Sequence, residues 1–465
     1  MPILKVGAFA SALDLPEFER GGATEALNVI PRSDSYGPLP SFSTQGDAMA
    51  ERVQGACIAR GVGGQIAQFA GTATKLYRWD ANGLAWTDVS SAAYATPSDG
   101  HWSFCQFGDF VIADNGFDVP QVFAIGSSSV FADLAGSPPV FRSMATVRDF
   151  VFGGAEAGFS NRVRWSGFND HTQWTQSQTT QSDLQDLPDG GKVMSIIGGE
   201  YAIIIQERNI QRATYANLPL IWQFDKIAQG IGTPYENATT RYEDLIFFIS
   251  ADGFQMLSGG QQLTPIGKNV ADKFFLNDVN SSFLDRVTNA VDPINKLVVW
   301  SYPSTASADG TPDKGLIYNW PDNKWARLEQ PLEIIHSAVS QAGFTLDQLD
   351  VFGSLDSLSR SLDSAFWVGA GRPSLAGFSV DHKIGFFNGQ FMAATVDTTE
   401  LQPSPGYRSQ INYLRPMIEG DPLPTIQIGH RSRLTDAVAW ESAVAMNDFG
   451  VCPVLVNDRH HARRH

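Results

Sequence analysis

Residues 316–328 read LIYNWPDNKWARL, and residues 76–90 read LYRWDANGLAWTDVS. In each, an aromatic-rich run meets polar turn residues and then a second aromatic run. Aromatic and β-branched residues suit a pleated, half-buried surface, while Asn-Gly and Pro-Asp-Asn accept the backbone angles of a tight turn. The strand ending at Trp320 therefore turns at Pro321-Asp322-Asn323 and returns through Trp325. The strand ending at Trp79 turns at Asn82-Gly83 and returns through Trp86. The two passages read as one unit, recurring about 240 residues apart, with hairpins in YEDLIFFISADGFQML and GFQMLSGGQQLTPI between them.

Short apolar runs separated by Gly and Pro recur along the chain: Lys75–Trp79, Phe110–Ala113, Phe150–Gly153, Val163–Trp165, Tyr201–Ile205, Leu245–Ile249, Leu297–Trp300, Gly315–Asn319 and Gly385–Phe387. All read as strands. Asn115-Gly116, Gly198-Gly199, Asp252-Gly253, Gly259-Gly260 and Asn388-Gly389 supply turns. An irregular meander of this kind predicts an all-β fold with a β-propeller-like core. Burial between sheets accounts for the tryptophans. Helical spacing is scarce: Phe283–Val291 has room for two turns, and Leu346, Leu349, Leu355, Leu358 and Leu362 mark a connection of some helical character.

Three regions follow from this punctuation. Residues 1–45 hold Pro31, Pro38 and Pro40 around Tyr36-Gly37, which predicts an extended N-terminal arm with no hairpin partner of its own. Residues 46–400 form the propeller-like core. Residues 401–465 begin rich in Pro and Gly and then alternate in Thr425–Gly429 and Cys452–Val456, which predicts a small C-terminal β extension. The final RHHARRH reads as a solvated or truncated terminus rather than a local anion site.

The 465 residues carry 33 Lys and Arg against 49 Asp and Glu, a formal charge of −16. Grooves that grip nucleic acid concentrate cations, so this balance argues against one. With 43% hydrophobic residues the chain can fill a large core. Cys57, Cys105 and Cys452 are odd in number and widely spaced, a poor basis for a disulfide scaffold or a zinc site. The N-terminal MPILKVGAFASALDLPEFER is a poor signal peptide, and folding in a cytoplasm is expected. The most apolar stretch, Val193 to Gln206, contains Glu200 and is shorter than the roughly 20 residues of a membrane span.

No GxSxG stands in the chain, and His101, His171, His336, His382 and His430 each stand alone, without HExxH or HxH spacing. Gly61-Val62-Gly63-Gly64 and Gly230-Ile231-Gly232 lack the context of a phosphate loop, and Asp309-Gly310-Thr311-Pro312-Asp313 lacks the ligand pattern of a calcium loop. The strongest enzymatic signal is Ser98-Asp99-Gly100-His101-Trp102, which resembles the Asp-box turn of sialidase propellers with shortened spacing and no second copy that carries the Trp. A glycan-binding or sialidase-like propeller is the alternative reading. No catalytic, cofactor or metal residue is assigned, no cofactor is expected, and the chain is not read as an enzyme.

Larger phrases carry a resemblance. ALNVIPRSDSYGPLPSFS, VRDFVFGG with NRVRWSGFNDHTQW, FISADGFQMLSGGQQLTPIG, DPINKLVVWSYP with LIYNWPDNKWARL, and the C-terminal LRPMIEGDPLPTIQIGHRSR with VCPVLVNDRHHAR resemble the tail nozzle, or tail hub, proteins of short-tailed bacteriophages. The resemblance covers most of the chain and consists of structural phrases, not catalytic signatures. It implies a virion protein made in the host cytoplasm that forms a homohexameric ring below the portal and its adaptor. It also implies tail fibres or spikes on the outside, and genomic DNA passing through the channel without sequence-specific binding. Such a nozzle gates ejection and retains the packaged genome. Much of the −16 charge would then face the channel, where repulsive walls let a polyanion slide; the alternative is that the acidity only keeps a large assembly subunit soluble before assembly. Pro31, Tyr36, Pro38 and Pro40 are the candidate contact with the adaptor or a neighbour, and deletion of residues 1–45 is expected to spare the propeller while blocking assembly.

Overall fold

The computed structural model describes residues 23–464, except 81–83, 269–270, 340–372, 401–402, 404–406, 419–423, 434 and 459. Among the described residues, six separate four-stranded antiparallel sheets and the first four strands of a ten-stranded sheet make seven blades. Their first strands are Gly55–Arg60, Ser103–Phe107, Ser143–Val147, Val193–Ile197, Thr240–Tyr242, Thr288–Asp292 and Ile334–Val339, for blades 1 to 7 in chain order. The all-β, propeller-like architecture expected from the hairpins is the architecture found.

Apolar burial explains the ring. A sheet packed on both faces must supply side chains to two neighbours, and each buried cluster joins one blade to the next. Phe69 and Leu76 of blade 1 meet Phe123 and Phe131 of blade 2. Phe107 and Ile112 then meet Phe141 and Val151; Phe152 and Trp165 meet Ile204 and Trp222; Ile203 and Ile205 meet Phe248 and Leu257. One larger cluster runs from Phe247 and Phe254 of blade 5 through Trp300 and Trp325 of blade 6 to Ile335 and Leu375 of blade 7. Ile334 and Phe378 of blade 7 close on Val53 and Ala70 at blade 1.

The aromatic hairpins that decided the fold are the third and fourth strands of blades 1 and 6. Trp79 pairs with Trp86 across the first, ring centroids 5.1 Å apart. Tyr318 pairs with Trp325 across the second at 4.6 Å. Asn323 takes φ 50° in the second turn, the conformation that Asn tolerates.

Blade 7 takes its fourth strand, Pro40–Thr44, from the other end of the chain, where it pairs with Ile384–Phe391. This corrects the N-terminal arm. Val29–Pro31 forms a hairpin with Tyr36–Pro38, so the prolines do have a partner within the chain. Pro31 is buried, Tyr36 and Pro40 are half-buried, and only Pro38 is exposed. Proline is tolerated here because these strands are short and lie at sheet ends. The propeller therefore begins at residue 40 rather than 46.

Ala23–Leu27 runs parallel to Lys324–Glu329 of blade 6 and antiparallel to Thr395–Thr398. His460–Arg464, Thr425–Arg431 and Ala439–Trp440 follow in the same sheet. The end of the chain is thus a sheet strand rather than a solvated tail, because its backbone groups pair with Thr425–Arg431. Ser409–Leu414 and Cys452–Asp458 form a second, two-stranded layer, and Ile426, Ile428, Cys452, Val454 and Val456 fill the space between.

One helical expectation changes. Phe283–Val291 is a single 3-10 turn, Leu284–Arg286, followed by strand Thr288–Asp292. An α-helix forms instead at Ala271–Asp278 and buries Phe275. Its Asp272 accepts the Phe254 N–H at 2.8 Å, and the space is so tight that a Cβ on Gly253, at φ 122°, would lie 2.2 Å from the Asp272 carboxyl. Asn388-Gly389 lies inside a strand with a register shift, not at a turn. The leucines between 346 and 362 and the Asn82-Gly83 turn lie outside the described residues.

Candidate functional site

A first strand begins at the same end of every blade, so the connections that lead into first strands gather on one face of the ring. A charged or ionisable residue stands just before each: Arg52, His101, Arg142, Lys192, Glu236, Arg286 and Glu333. The rim has two halves. From blade 2 to blade 5 it is closed by Glu236, which ion-pairs with His101 Nδ1 at 3.3 Å, with Arg142 Nη1 at 3.3 Å and with Lys192 Nζ. Burial alone would raise this carboxyl, but the His101 and Lys192 contacts prevail and hold it well below the usual carboxylate range. Glu236 thereby ties four successive connections together.

The other half, around blades 6, 7 and 1, is open. A cavity of about 530 Å³ is lined by Arg52, Arg286, Asp309, Asp313, Glu333 and His382 among others. A smaller one of about 160 Å³ shares Arg52, Arg286 and Glu333 and adds Asn289 and His336. Glu333 accepts the Val53 N–H at 3.0 Å and pairs with His382 Nδ1; burial raises its pKa. The Arg52 guanidinium is held below its ordinary value by burial and by the nearby Arg286.

A second candidate surface lies on the C-terminal sheets. Cys452–Asp458 alternates strictly, with Cys452, Val454 and Val456 inward and Pro453, Leu455 and Asn457 outward. Tyr413 sits opposite Pro453, and Leu414 opposite Cys452, so Met417 and Phe449 flank the same end of the pair. Leu455 is 75%, Phe449 83%, Met417 80% and Tyr413 51% exposed.

Of the motifs singled out in the sequence, Ser98-Asp99-Gly100-His101-Trp102 enters blade 2. Trp102 is buried and donates its indole N–H to the Thr72 carbonyl at 2.8 Å, and His101 serves Glu236. Asp309 and Asp313 do reach the open cavity, but their oxygens accept from Thr311, Ser307 and Ser304 within the same connection. Pro31, Tyr36, Pro38 and Pro40 lie together in the N-terminal hairpin and the strand that follows it, away from the lining of both cavities. Arg52, Arg142, Lys192, Glu236, Arg286 and Glu333 were not found from the sequence. Their signal was a charge repeated at intervals of 49, 41, 50, 44, 50 and 47 residues once His101 is included, the length of one blade.

Cys57, Cys105 and Cys452 are free thiols; burial pushes Cys105 up to about 12, which leaves it unreactive. Among the described residues, no group of three or more His, Cys, Asp or Glu is placed to hold a metal ion, and no helix is long and apolar enough to cross a membrane.

No protein-family model matches the chain, and neither does any curated protein. Solved structures share its outline at low identity. The extracellular domain of a B. thetaiotaomicron protein described as a hybrid two component system has TM-score 0.46 and 11% identity, covering 81% of this chain and 43% of its own. A computationally designed protein, Ika8, has TM-score 0.40 and 9% identity, covering 76% of this chain and 100% of its own. A chain of the mitotic checkpoint complex has TM-score 0.39 and 10% identity, covering 82% and 99%. Likenesses this distant carry no function across.

Proposed function

We propose that this chain is a structural subunit of a short phage tail, a nozzle or hub protein that builds the DNA ejection channel below the portal and adaptor and retains the packaged genome. The supporting observation is apolar exposure at the C-terminal sheets: Tyr413 and Leu455 on the paired strands, with Met417 and Phe449 just beyond one end of that pair. Several large apolar side chains exposed in one region of a folded protein point to an interaction site. A ring needs a heterologous, closing interface, and a rigid propeller carrying such a sheet on one outer edge has the form of a ring-building subunit. The homohexamer, the adaptor and fibre partners and the virion as location are what the sequence resemblance implies. DNA is a passenger in this reading, and the −16 charge keeps the channel wall from gripping phosphate.

Negative-stain imaging of the purified protein, alone and mixed with adaptor–portal complexes, tests the reading. Sixfold rings capping the adaptor are expected. A persistent monomer that ignores the complex overturns it and moves the weight to the glycan-binding propeller.

A further inference from the structure

The two halves of the charged rim use their cations differently. On one half a single carboxylate, Glu236, gathers His101, Arg142 and Lys192. On the other half, neither guanidinium hydrogen-bonds a carboxylate. Arg52 donates from Nη2 to the Ser98 carbonyl at 2.7 Å, and Arg286 donates from Nη1 to the Asp309 carbonyl at 2.7 Å. A guanidinium carries five N–H donors in a fork that matches an oxyanion, so most of this capacity is unspent. The acids nearby do not take it. Asp285 approaches no closer than 3.9 Å to Arg286, beyond hydrogen-bond reach, and Glu333 is engaged by the Val53 N–H and His382.

The lining of the smaller cavity holds a second sign of a missing partner. Arg286 Nε, Asn289 Nδ2 and His336 Nδ1 are buried nitrogens without a hydrogen bond to protein. Buried polar atoms of folded proteins nearly always have a partner. Water can serve them singly, and Asp285 and Glu333 stand near the two guanidinium charges without hydrogen-bonding either of them, so the donors rather than the net charge are what lack a partner.

We propose that the cavity between Arg52, Arg286, Asn289 and His336 binds one small oxyanion, a phosphate or a carboxylate. Its oxygens take the place on this half of the rim that the Glu236 carboxylate holds on the other. The volume of about 160 Å³ admits an ion of that size. Asp285 and Glu333 limit it to one anion, because a longer polyanion would meet both. His336 stacks on Phe378, and burial lowers its pKa to about 4, so in the tautomer that carries its proton on Nδ1 the neutral ring offers a donor there without adding charge.

Titration of inorganic phosphate, and separately of acetate, into the full chain tests the site, read by the NMR resonances of the His336 ring and, for phosphate, by its own line width. Saturable binding of at least one ion that shifts the His336 ring is expected. Arg52→Gln and Arg286→Gln should each weaken that ion at least about tenfold, while Arg208→Gln, in an exposed turn of blade 4, should leave it unchanged. Phosphate alone binding assigns a phosphate site, and acetate alone a carboxylate site. Failure of both ions to saturate below roughly 50 mM overturns the proposal, as does binding that leaves the His336 ring unmoved. The His336 reading is made on the unsubstituted chain, so a variant that fails to fold does not shelter the idea.

Discussion

The propeller and the C-terminal sheets are both antiparallel, yet they dispose of apolar side chains in opposite ways. A blade stands radially and packs on two neighbours, so both faces of blade 5 are dry: Phe247, Ile249 and Phe254 face one cluster and Ile246, Phe248 and Leu257 another, all fully buried or nearly so. The strand Cys452–Asp458 has one neighbour layer and leaves Leu455 and Pro453 in solvent. Among the described residues its fully buried core is five residues, a small amount of burial for a region of this length, and such regions usually gain stability from an attachment or a partner. The attachment is visible in Ala23–Leu27, which bridges blade 6 to the C-terminal strands and carries an ion pair between Glu25 and Arg327 at 2.9 Å. Stability therefore grades from a closed ring to a half-covered flap.

The largest test of that contrast is removal of residues 1–45. It deletes the fourth strand of blade 7, Pro40–Thr44, together with the bridge, so the ring loses closure and the flap loses its anchor. Loss of the cooperative melt and of near-ultraviolet dichroism is expected, and a truncated chain that keeps both would sink the closure argument. This reverses the expectation drawn from the prolines.

Next in size is Glu236→Ala, which strands three cations at the rim. Breaking a buried pair costs about 3–5 kcal/mol, to be read as a lowered denaturation midpoint with protection lost first at the connections into blades 2 to 5. Unchanged stability would mean the cluster is solvated rather than structural.

Acidification separates the two regions by sign. His336 has its folded pKa pushed from the ordinary 6.5 down to about 4 by burial. Its contribution is whole above pH 6.5 and is lost as the pH falls toward 4, worth up to about 3 kcal/mol. His430 lies between Asp458 and Glu441, each at 3.1 Å. Burial works against its charge, but the two carboxylates prevail and raise its pKa, so its contribution is present below pH 6.5 and fades as the pH rises through the folded value. Hydrogen exchange at pH 7.5 and pH 5 should show blade 7 loosening on acidification while the C-terminal sheets tighten. Loosening of both together would refute the assignment. His336→Gln should remove the response of blade 7.

The smallest expected effect on stability is that of Tyr413→Ser with Leu455→Ser, within about 0.5 kcal/mol for each exposed position. Assembly should nevertheless be lost, with sedimentation showing monomer. A large drop in melting temperature would instead make this face part of the fold.

The strands and most of the turns were legible in the sequence, because alternation, aromatic content and the positive-φ dipeptides act over a few neighbouring residues. LIYNWPDNKWARL and LYRWDANGLAWTDVS needed only their own chemistry to form hairpins. The sequence also showed the small C-terminal β region, through the alternation of Thr425–Gly429 and Cys452–Val456. The place of Pro40–Thr44 is set by long-range pairing, since its partner is Ile384–Phe391, more than three hundred residues away, and pairing across that distance leaves no local mark. The same holds for the helix at Ala271–Asp278, where Gly253 and the Asp272 contact to Phe254 fix the geometry. The rim charges were legible as letters but not as a group. Arg52 and Arg286 become neighbours because ring closure brings the entrances of blades 1 and 6 to one axis, and electrostatic interaction depends on distance in space, not along the chain.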